Sequence, residues 1–357
     1  MKKITRLTFL ILGACLILYG LLLYSEKSEG YKSGNIVQLY NWGDYIDPDL
    51  IEKFEEESGY KVVYETYDSN EAMYTKIEQG GNSYDLAVPS DYMISKMIKN
   101  DMLIPLDYKK INGLDNIDQR FLDHSFDKKN KYSIPYFWGT LGIIYNDKFI
   151  EEGEIEHWDD LWNPKYKNNI MLIDGAREVM GLSLNSMGKS VNNTNIEDLI
   201  NAKEKLDSLV PNIRAIVADE MKMYMVQEES MLAVTFSGEA SEMVANNENL
   251  HYIIPPEGSN LWFDNIVIPK TAKNLDGAYA LINFLLEPEN AAQNAEYIGY
   301  ATPNTKAMEL MPEEVVTDKQ FYPSKETVEH LEVYEDLGIE MLGIYNDYFL
   351  SFKMHRK

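Results

Sequence analysis

IVQLYNWGDY, residues 36–45, combines the first strand of the predicted fold with a group of candidate ligand contacts. Its first half alternates and is rich in residues that favour buried strands. Trp42, Asp44 and Tyr45 come at the carboxyl end of that strand, directly before a helix-like run. Open α/β sheets usually bind ligands at this edge, so we expect these side chains to line a site. A core tryptophan followed by a helix-capping aspartate explains the ten residues at least as well on their own.

The next residues repeat the alternation of helix and strand. We predict a helix over Pro48–Ser58, a strand over Tyr60–Tyr67, a helix through Met73 and Ile77, and a strand over Tyr84–Pro89. This order is typical of a parallel sheet with crossover helices. Ser90 and Tyr92 should therefore lie on the same edge as Trp42 and Asp44. Ser90 also has the residue type of a helix N-cap.

Later strand ends carry the same pairing of an aromatic side chain with an acid. We place Trp262 and Asp264 in a loop, PEGSNLWFD, between strands over Tyr252–Ile254 and Asn265–Pro269. An aromatic face beside a carboxylate can hold an organic cation, since the ring offers its negative quadrupole and the acid a full charge. Any one of these side chains could belong to the core, but similar placements in six separate segments, near residues 42, 90, 178, 236, 262 and 300, favour a shared site. The candidates are Trp42, Asp44, Tyr45, Ser90, Tyr92, Glu178, Phe236, Glu239, Trp262, Asp264 and Tyr300.

The length of 357 residues and the 45% hydrophobic content suit two lobes. Gly139 and Gly142 interrupt an apolar run, YSIPYFWGTLGIIYN, and suit a crossing from one lobe to the other. We predict an α/β fold of two lobes, each a mainly parallel sheet flanked by helices, with a ligand cleft between them. The predicted division is a leader at 1–30, lobe 1 at 36–141 plus 270–310, and lobe 2 at 142–269 plus 311–357. Val328 to Phe352 has long helical periodicity, which predicts a helix packed back across a lobe.

The N-terminus predicts export. MKKITR precedes an apolar run from Leu7 to Tyr24, and positive residues before one apolar segment leave the N-terminus inside the cell. The run is just long enough to remain as a membrane anchor. Leu12-Gly13-Ala14-Cys15 also resembles a bacterial lipoprotein cleavage box, with Cys15 lipidated. Both alternatives place the body of the protein outside the cytoplasm, tethered to the membrane.

Composition excludes several classes of function. Lys and Arg number 33 against 58 Asp and Glu, and the net charge of −25 argues against nucleic acid as a partner and permits a cationic one. Cys15 is the only cysteine, and the five histidines never occur at metal-ligand spacing, so we expect neither a metal nor a cofactor. Paired carboxylates could hydrolyse a glycosidic bond, which leaves an exported hydrolase as a remote alternative.

Six motifs occur in the order and approximate spacing of a known family. They are NWGDY, YDLAVPSDY, YSIPYFWGT, AREV at 176–179, LWFDNIVIP and IGYATPN. From about Ile36 to the C-terminus the chain resembles bacterial polyamine-binding proteins, the spermidine/putrescine receptors of ABC transporters. The resemblance implies the type 2 periplasmic-binding-protein fold. It also implies aromatic walls from Trp42, Tyr45, Tyr92, Trp262 and Tyr300, acids for the amino groups at Asp44, Glu178 and Asp264, and a polar contact at Ser90.

The chain also departs from the spermidine-type members of that family. Gly175 stands where those members have an acid, although Asp174 is adjacent and could substitute. Phe236 replaces a Trp, Ala218 a Ser and Tyr334 a Gln. Glu239 falls where putrescine-type members carry an acid. The diamine and triamine patterns are mixed, so the preferred ligand stays open.

The resemblance implies a monomeric receptor that captures a polyamine and delivers it to the permease subunits of an ABC importer. Closure of the two lobes around the ligand would create the form that the permease recognises. The same fold could instead serve as a sensor of polyamines or another organic cation, coupled to a membrane signalling protein. Cells that lack the protein would distinguish these hypotheses, because loss of a sensor leaves uptake intact.

Overall fold

A computed structural model describes residues 35–218 and 220–355 of the chain. The predicted leader, with its alternatives of a lipidated Cys15 and a helical anchor, lies outside these residues. Within them, no helix combines the length and the apolar character that a membrane span requires.

The strands and helices of the first part occur in the predicted order. Asp47 caps the first helix, since its side chain accepts a hydrogen bond from the Asp49 N–H, and Gly59 ends it with a φ of 75°. Ser69 caps the second helix, since its side chain accepts a hydrogen bond from the Ala72 N–H. The elements are β1 (Ile36–Trp42), α1 (Pro48–Ser58), β2 (Lys61–Tyr67), α2 (Asn70–Gln79), β3 (Leu86–Ala87) and α3 (Asp91–Lys99).

The rest of the described chain begins with several short 3-10 turns and a long strand, β4 (Ser133–Asn146). The strands that follow are β5 (Ile170–Ile173), β6 (Ile213–Val217), β7 (Leu232–Phe236), β8 (Leu250–Ile253) and β9 (Leu261–Val267). The helices are α4 (Ala176–Asn185), α5 (Ile196–Leu209), α6 (Glu220–Val226), α7 (Ser237–Asn246), α8 (Leu275–Leu286), α9 (Pro288–Ile298), α10 (Thr305–Met308), α11 (Glu313–Val316), α12 (Lys325–Val328) and α13 (Gly338–Met354).

The strands form a curled path in the order β2-β1-β3-β9-β4-β7-β5-β6, with β8 also paired to β4. β1 pairs in parallel with β2 and β3, and β5 pairs in parallel with β6 and β7. β9 and β4 are antiparallel to their neighbours and lie between the two parallel groups. The predicted α/β class is therefore confirmed, with parallel groups at both ends of a mixed sheet.

β4 is common to both groups. Its first half pairs with β9, while its second half pairs with β7 and β8. Gly139 lies so close to Trp262 that a Cβ would overlap the indole ring, and a Cβ at Gly142 would overlap the carbonyl of Ile253. Both glycines therefore allow neighbouring groups to approach the backbone of a strand that stays continuous through the crossing.

The two parallel groups have separate cores. Leu39, Ile266 and Ile282 belong to the first, and Leu172 and Phe352 to the second. The division into lobes stays a proposal. The predicted boundary counts residues up to 269 with lobe 2, whereas β9 pairs with β3, so we favour counting residues 261–269 with lobe 1.

Two sequence predictions were wrong in this region. Trp262 and Asp264 lie inside β9 rather than in a loop, because the strand begins at Leu261 and pairs with β4 along its length. The single helix predicted over residues 328–352 is divided. The backbone at Glu332 instead bonds to Ser259 and Leu261, and Gly338 has a φ of 75° at the start of α13.

Candidate functional site

The carboxylate of Asp264 is the most constrained group among the predicted contacts. It is 7% exposed, and both of its oxygens accept a hydrogen bond. The hydroxyls of Ser90 and Tyr45 each donate at 2.6 Å, to Oδ1 and Oδ2 respectively. Burial raises the pKa of Asp264 to about 6, and the two hydrogen bonds oppose that rise. Asp264 can therefore be ionised near neutral pH while it is held away from bulk water.

Ser90 reaches Asp264 because β3 and β9 are neighbours in the sheet. It stands at the N-cap position of α3, as the alternative interpretation expected, but its side chain makes no cap bond. Asn70 fixes Ser90 from α2, since its amide donates to the Ser90 hydroxyl at 3.0 Å and its carbonyl accepts from the Ser90 N–H at 3.1 Å. Asn70 was not among the predicted site residues.

Aromatic rings pack in a row beside Asp264. The Tyr45 and Tyr300 rings are 5.4 Å apart between centroids, Tyr300 and Trp262 are 5.7 Å apart, and Trp262 and Phe236 are 6.1 Å apart. Gly238 allows this arrangement, because a Cβ there would overlap the Tyr300 ring. Within the described residues, the buried Nε1 of Trp262 has no hydrogen-bond partner. The structure therefore brings together five predicted residues from four distant segments: Tyr45, Phe236, Trp262, Asp264 and Tyr300.

Trp42 joins this group through Tyr67. The two rings are 4.6 Å apart, and both side chains donate to the carbonyl of Val88. Burial raises the pKa of Tyr67 well above its usual value, and the charge of Asp264 adds to that shift. Asp264 therefore lies within electrostatic range of the Trp42–Tyr67 pair.

A second group contains Tyr92 and Glu178. Burial raises the pKa of Tyr92, and the charges of Glu71 and Glu178 both add to the rise. The Tyr92 hydroxyl donates to Glu71 Oε1 at 3.2 Å. Burial also raises the pKa of Glu178, while the Arg177 charge opposes the shift. Tyr334, at the position where the family resemblance implies a glutamine, stacks against Arg177 with 4.3 Å from Cζ to the ring centroid.

Asp44 and Glu239 differ from the other predicted acids. Asp44 is exposed, has a φ of 49°, and contributes its charge to the raised pKa of Tyr64. Glu239 accepts a hydrogen bond from the Thr235 hydroxyl, and its charge contributes to the raised pKa of Tyr252. The recorded neighbours of these two acids, Tyr64 for Asp44 and Thr235 and Tyr252 for Glu239, differ from those of Asp264 and Glu178.

Asp91 is a functional candidate that the sequence interpretation missed. It is buried and accepts hydrogen bonds from the backbone N–H groups of Tyr92 and Phe263, at 2.6 and 3.1 Å. Burial raises its pKa to about 8. Asp91 thus joins the start of α3 to the strand that carries Asp264. Its position between Ser90 and Tyr92 was the available signal.

Across 35–218 and 220–355, no three His, Cys, Asp or Glu side chains are grouped so that they could hold a metal ion.

Comparisons with known proteins agree on the family. The sequence profile described as bacterial extracellular solute-binding protein matches residues 49–323. The spermidine/putrescine-binding periplasmic protein of Salmonella typhimurium is 38% identical over 342 residues, which cover 96% of this chain and 98% of the relative. A putrescine-binding periplasmic protein of Escherichia coli is 33% identical over 80% of this chain and 83% of its own length.

Solved structures agree with the sequence relatives. The substrate-binding protein of a spermidine/putrescine ABC transporter from Streptococcus pneumoniae is 62% identical, with a TM-score of 0.86 over 90% of this chain and 100% of that one. A structure described as a spermidine/putrescine ABC transporter from Listeria monocytogenes is 60% identical, with a TM-score of 0.83. The predicted periplasmic-binding-protein fold and the resemblance to polyamine receptors are confirmed. The chain belongs to the bacterial extracellular solute-binding proteins, and its relatives in that family include the spermidine/putrescine-binding periplasmic proteins.

Proposed function

We propose that this protein captures a polyamine outside the cytoplasm and delivers it to an ABC importer. The similarity to relatives named for spermidine and putrescine supports the ligand class. The observation that carries the proposal is the Asp264 carboxylate, which is buried beside Trp262 and Tyr300 and oriented by two hydroxyls. A thin aliphatic chain with ammonium ends matches this combination of flat rings and fixed negative charge.

Binding would exchange the hydration shell of each ammonium group for protein contacts. A charge-assisted hydrogen bond to Asp264 contributes roughly 1.5 to 3 kcal/mol, and a desolvated cation over an aromatic face about 2 kcal/mol. Trp262, Tyr300 and Phe236 would pack against the methylene groups between the ammonium ends. These contributions, less the entropy lost by the ligand, suffice for micromolar binding, which corresponds to about 8 kcal/mol.

The second group, Tyr92 and Glu178, would bind the other end of the ligand. Tyr92 and Glu178 come from the segments that we assign to lobe 1 and lobe 2, so a ligand that contacts both would favour the closed form. The permease would then recognise that form. We propose that the protein acts as a tethered monomer that releases its ligand unchanged.

Calorimetric titration of the purified protein with putrescine, spermidine and spermine, at two salt concentrations, tests the binding proposal. We expect micromolar or tighter binding of at least one polyamine, weakened by salt because the attraction is between charges. Absence of heat and of thermal stabilisation with all three would overturn it. Polyamine uptake by cells without the protein tests delivery, and unchanged uptake would favour a sensor.

A further inference from the structure

Glu71 lies beside Tyr92, a member of the second group, and the family resemblance assigns Glu71 no role. It is an exposed residue in the first turn of α2, directly after Asn70, which fixes Ser90. Its carboxylate accepts a hydrogen bond from the hydroxyl of Tyr92, and the same segment carries Ser90. Glu71 therefore belongs to the same local arrangement as two predicted contacts, but its outward position leaves further lone pairs of the carboxylate available to a ligand.

The negative charges of Glu71 and Glu178 act on the same hydroxyl. Burial raises the pKa of Tyr92, and both carboxylates oppose the ionisation of its phenol. Glu71 comes from α2 and Glu178 from α4, so the two acids approach Tyr92 from separate parts of the fold. A cation beside the Tyr92 hydroxyl would be attracted by both.

Glu178 occupies the space that an additional side chain at residue 175 would need. A Cβ at Gly175 would overlap the Glu178 carboxylate, which turns back towards its own backbone N–H at the start of α4. The acid that the resemblance places at residue 175 is therefore absent, and Glu178 fills the space that its side chain would need. A second carboxylate for the ligand then has to come from another segment, and Glu71 is a candidate because it already accepts a hydrogen bond from Tyr92 at 3.2 Å.

A buried hydroxyl beside Glu178 offers a further contact for a ligand at this place. Tyr334 is 6% exposed, and its hydroxyl makes no hydrogen bond of regular geometry among the described residues. After burial, the charge of Glu178 is the largest influence that raises the pKa of Tyr334. The hydroxyl thus stands next to Glu178, where it lowers the pKa of that carboxyl, and a ligand placed between the two groups could bond to both.

Arg177 reduces the negative charge here without removing it. Its guanidinium donates to the Asn192 side chain and to the carbonyls of Glu335 and Val191. The Arg177 charge opposes the rise in the pKa of Glu178, while its donor groups are already engaged in these bonds.

We propose that Glu71 is a ligand-binding residue that, with Glu178 and Tyr92, holds one ammonium group of the polyamine. The proposal rests on the proposed function. In this assignment Glu71 replaces the acid missing at residue 175, and the neighbouring Asp174 does not. Asp174 instead forms an ion pair with Lys353, with 2.7 Å between Oδ1 and Nζ.

Glu71→Gln in the full chain tests the proposal, with Glu78→Gln as a matched control. Glu78 lies on the same helix and also accepts a tyrosine hydroxyl, from Tyr74 at 3.0 Å. The control therefore makes the same change of charge and weakens the same type of bond, about 10 Å along the helix. We expect Glu71→Gln to weaken spermidine binding by at least about fivefold in calorimetric titration. Glu78→Gln should stay within about twofold of the unchanged protein.

Each alternative outcome has a distinct meaning. Unchanged affinity in Glu71→Gln overturns the assignment, and so do equal losses in both variants, which would show an effect of overall charge. Thermal unfolding of the two variants without ligand should give the same midpoint temperature. If the midpoint is lowered only in Glu71→Gln, and the variant recovers its spermidine affinity at lower temperature, then Glu71 has a structural role and the assignment is wrong. If the unchanged protein binds no polyamine, the proposed function fails and this assignment fails with it.

Discussion

The two acidic ends of the candidate site differ in how firmly neighbouring side chains hold their carboxylates. At one end both oxygens of Asp264 are held by hydroxyls at 2.6 Å, within a row of packed rings. At the other end Glu178 turns back onto its own helix, and the Tyr334 hydroxyl beside it makes no hydrogen bond of regular geometry among the described residues. The first end resembles a preformed anchor. The second carboxylate is held by fewer side-chain hydrogen bonds, so we expect the two ends to respond differently to substitution.

Removal of the charge at each end is the most direct test of this difference. Asp264→Asn should weaken polyamine binding by about tenfold to a hundredfold, because it removes a charge-assisted bond and leaves the Ser90 and Tyr45 hydroxyls with a poorer acceptor. Glu178→Gln should cost less, about tenfold, since that carboxylate is less constrained. Calorimetry measures both.

The exposed Asp276, which pairs with Lys110, provides a control for the change in net charge. Asp276→Asn should leave the affinity unaltered. A larger loss in Glu178→Gln than in Asp264→Asn would reverse the comparison between the ends.

Acid pH should weaken binding through the preformed end. The folded-state pKa of Asp264 is raised to about 6, so below that value a proton must leave before an ammonium group can bind. We expect the affinity to fall by about tenfold between pH 7 and pH 5. Titrations across this range measure the effect, and the part due to Asp264 should vanish in Asp264→Asn. Constant affinity down to pH 5 would contradict a pKa near 6.

The same shift has the opposite sign for the ligand-free protein. Between about pH 4 and pH 6, folded Asp264 binds more protons than the unfolded chain does. Its contribution to the free energy of unfolding is therefore present at low pH and is lost as pH rises through 6. As pH rises through about 6, the ionisation of Asp264 should therefore strengthen ligand binding and lower the stability of the ligand-free protein.

The hydroxyl of Tyr45 allows the preformed end to be weakened without loss of charge. Tyr45→Phe keeps the ring beside Tyr136, Phe137 and Tyr300 but removes the bond to Asp264. We expect about fivefold weaker binding, because the ligand must then orient a freer carboxylate. Tyr145→Phe, at the far end of β4, is the matched control. If both variants bind equally well, the hydroxyl does not organise Asp264.

The smallest expected effect is at the less organised end. Gly175 has an extended φ of −140°, so alanine fits its backbone, but the new Cβ would displace the Glu178 carboxylate. Gly175→Ala should weaken binding by about threefold, less than Glu178→Gln, because the displaced acid keeps its charge. Calorimetry measures the loss.

Gly343→Ala, on an open face of α13, should change neither affinity nor the position of Glu178. A crystal structure of Gly175→Ala with Glu178 unmoved would exclude the proposed displacement.

Local patterns predicted much of the fold because they act over a few residues. The helix over Pro48–Ser58 was predicted with its observed bounds, since Asp47-Pro48 and Gly59 are strong end signals. Turn-forming residues before Leu261 led to the wrong assignment of Trp262 and Asp264 to a loop. Their strand depends on pairing with β4, more than a hundred residues earlier in the chain, which a local pattern does not show.

The site shows the same limit. Sequence patterns named Tyr45, Ser90 and Asp264 as separate candidates, but no spacing predicted that the two hydroxyls bind one carboxylate from 219 and 174 residues away. The alternative for Ser90, a helix cap, was right about its position. Its hydroxyl, however, bonds to Asp264 and not to the helix backbone. Asp91 and Glu71 were missed because each looks like an ordinary acid in the first turn of a helix.

The continuous course of β4 through both strand groups has a practical consequence for engineering. Since Ser133–Asn146 supplies hydrogen-bond partners to β9 on one side and to β7 and β8 on the other, neither half contains all of its own sheet if the chain is cut there. Circular permutants and fluorescent reporter domains should therefore open the protein elsewhere. An exposed turn such as Gly80-Gly81 leaves every strand of the sheet whole.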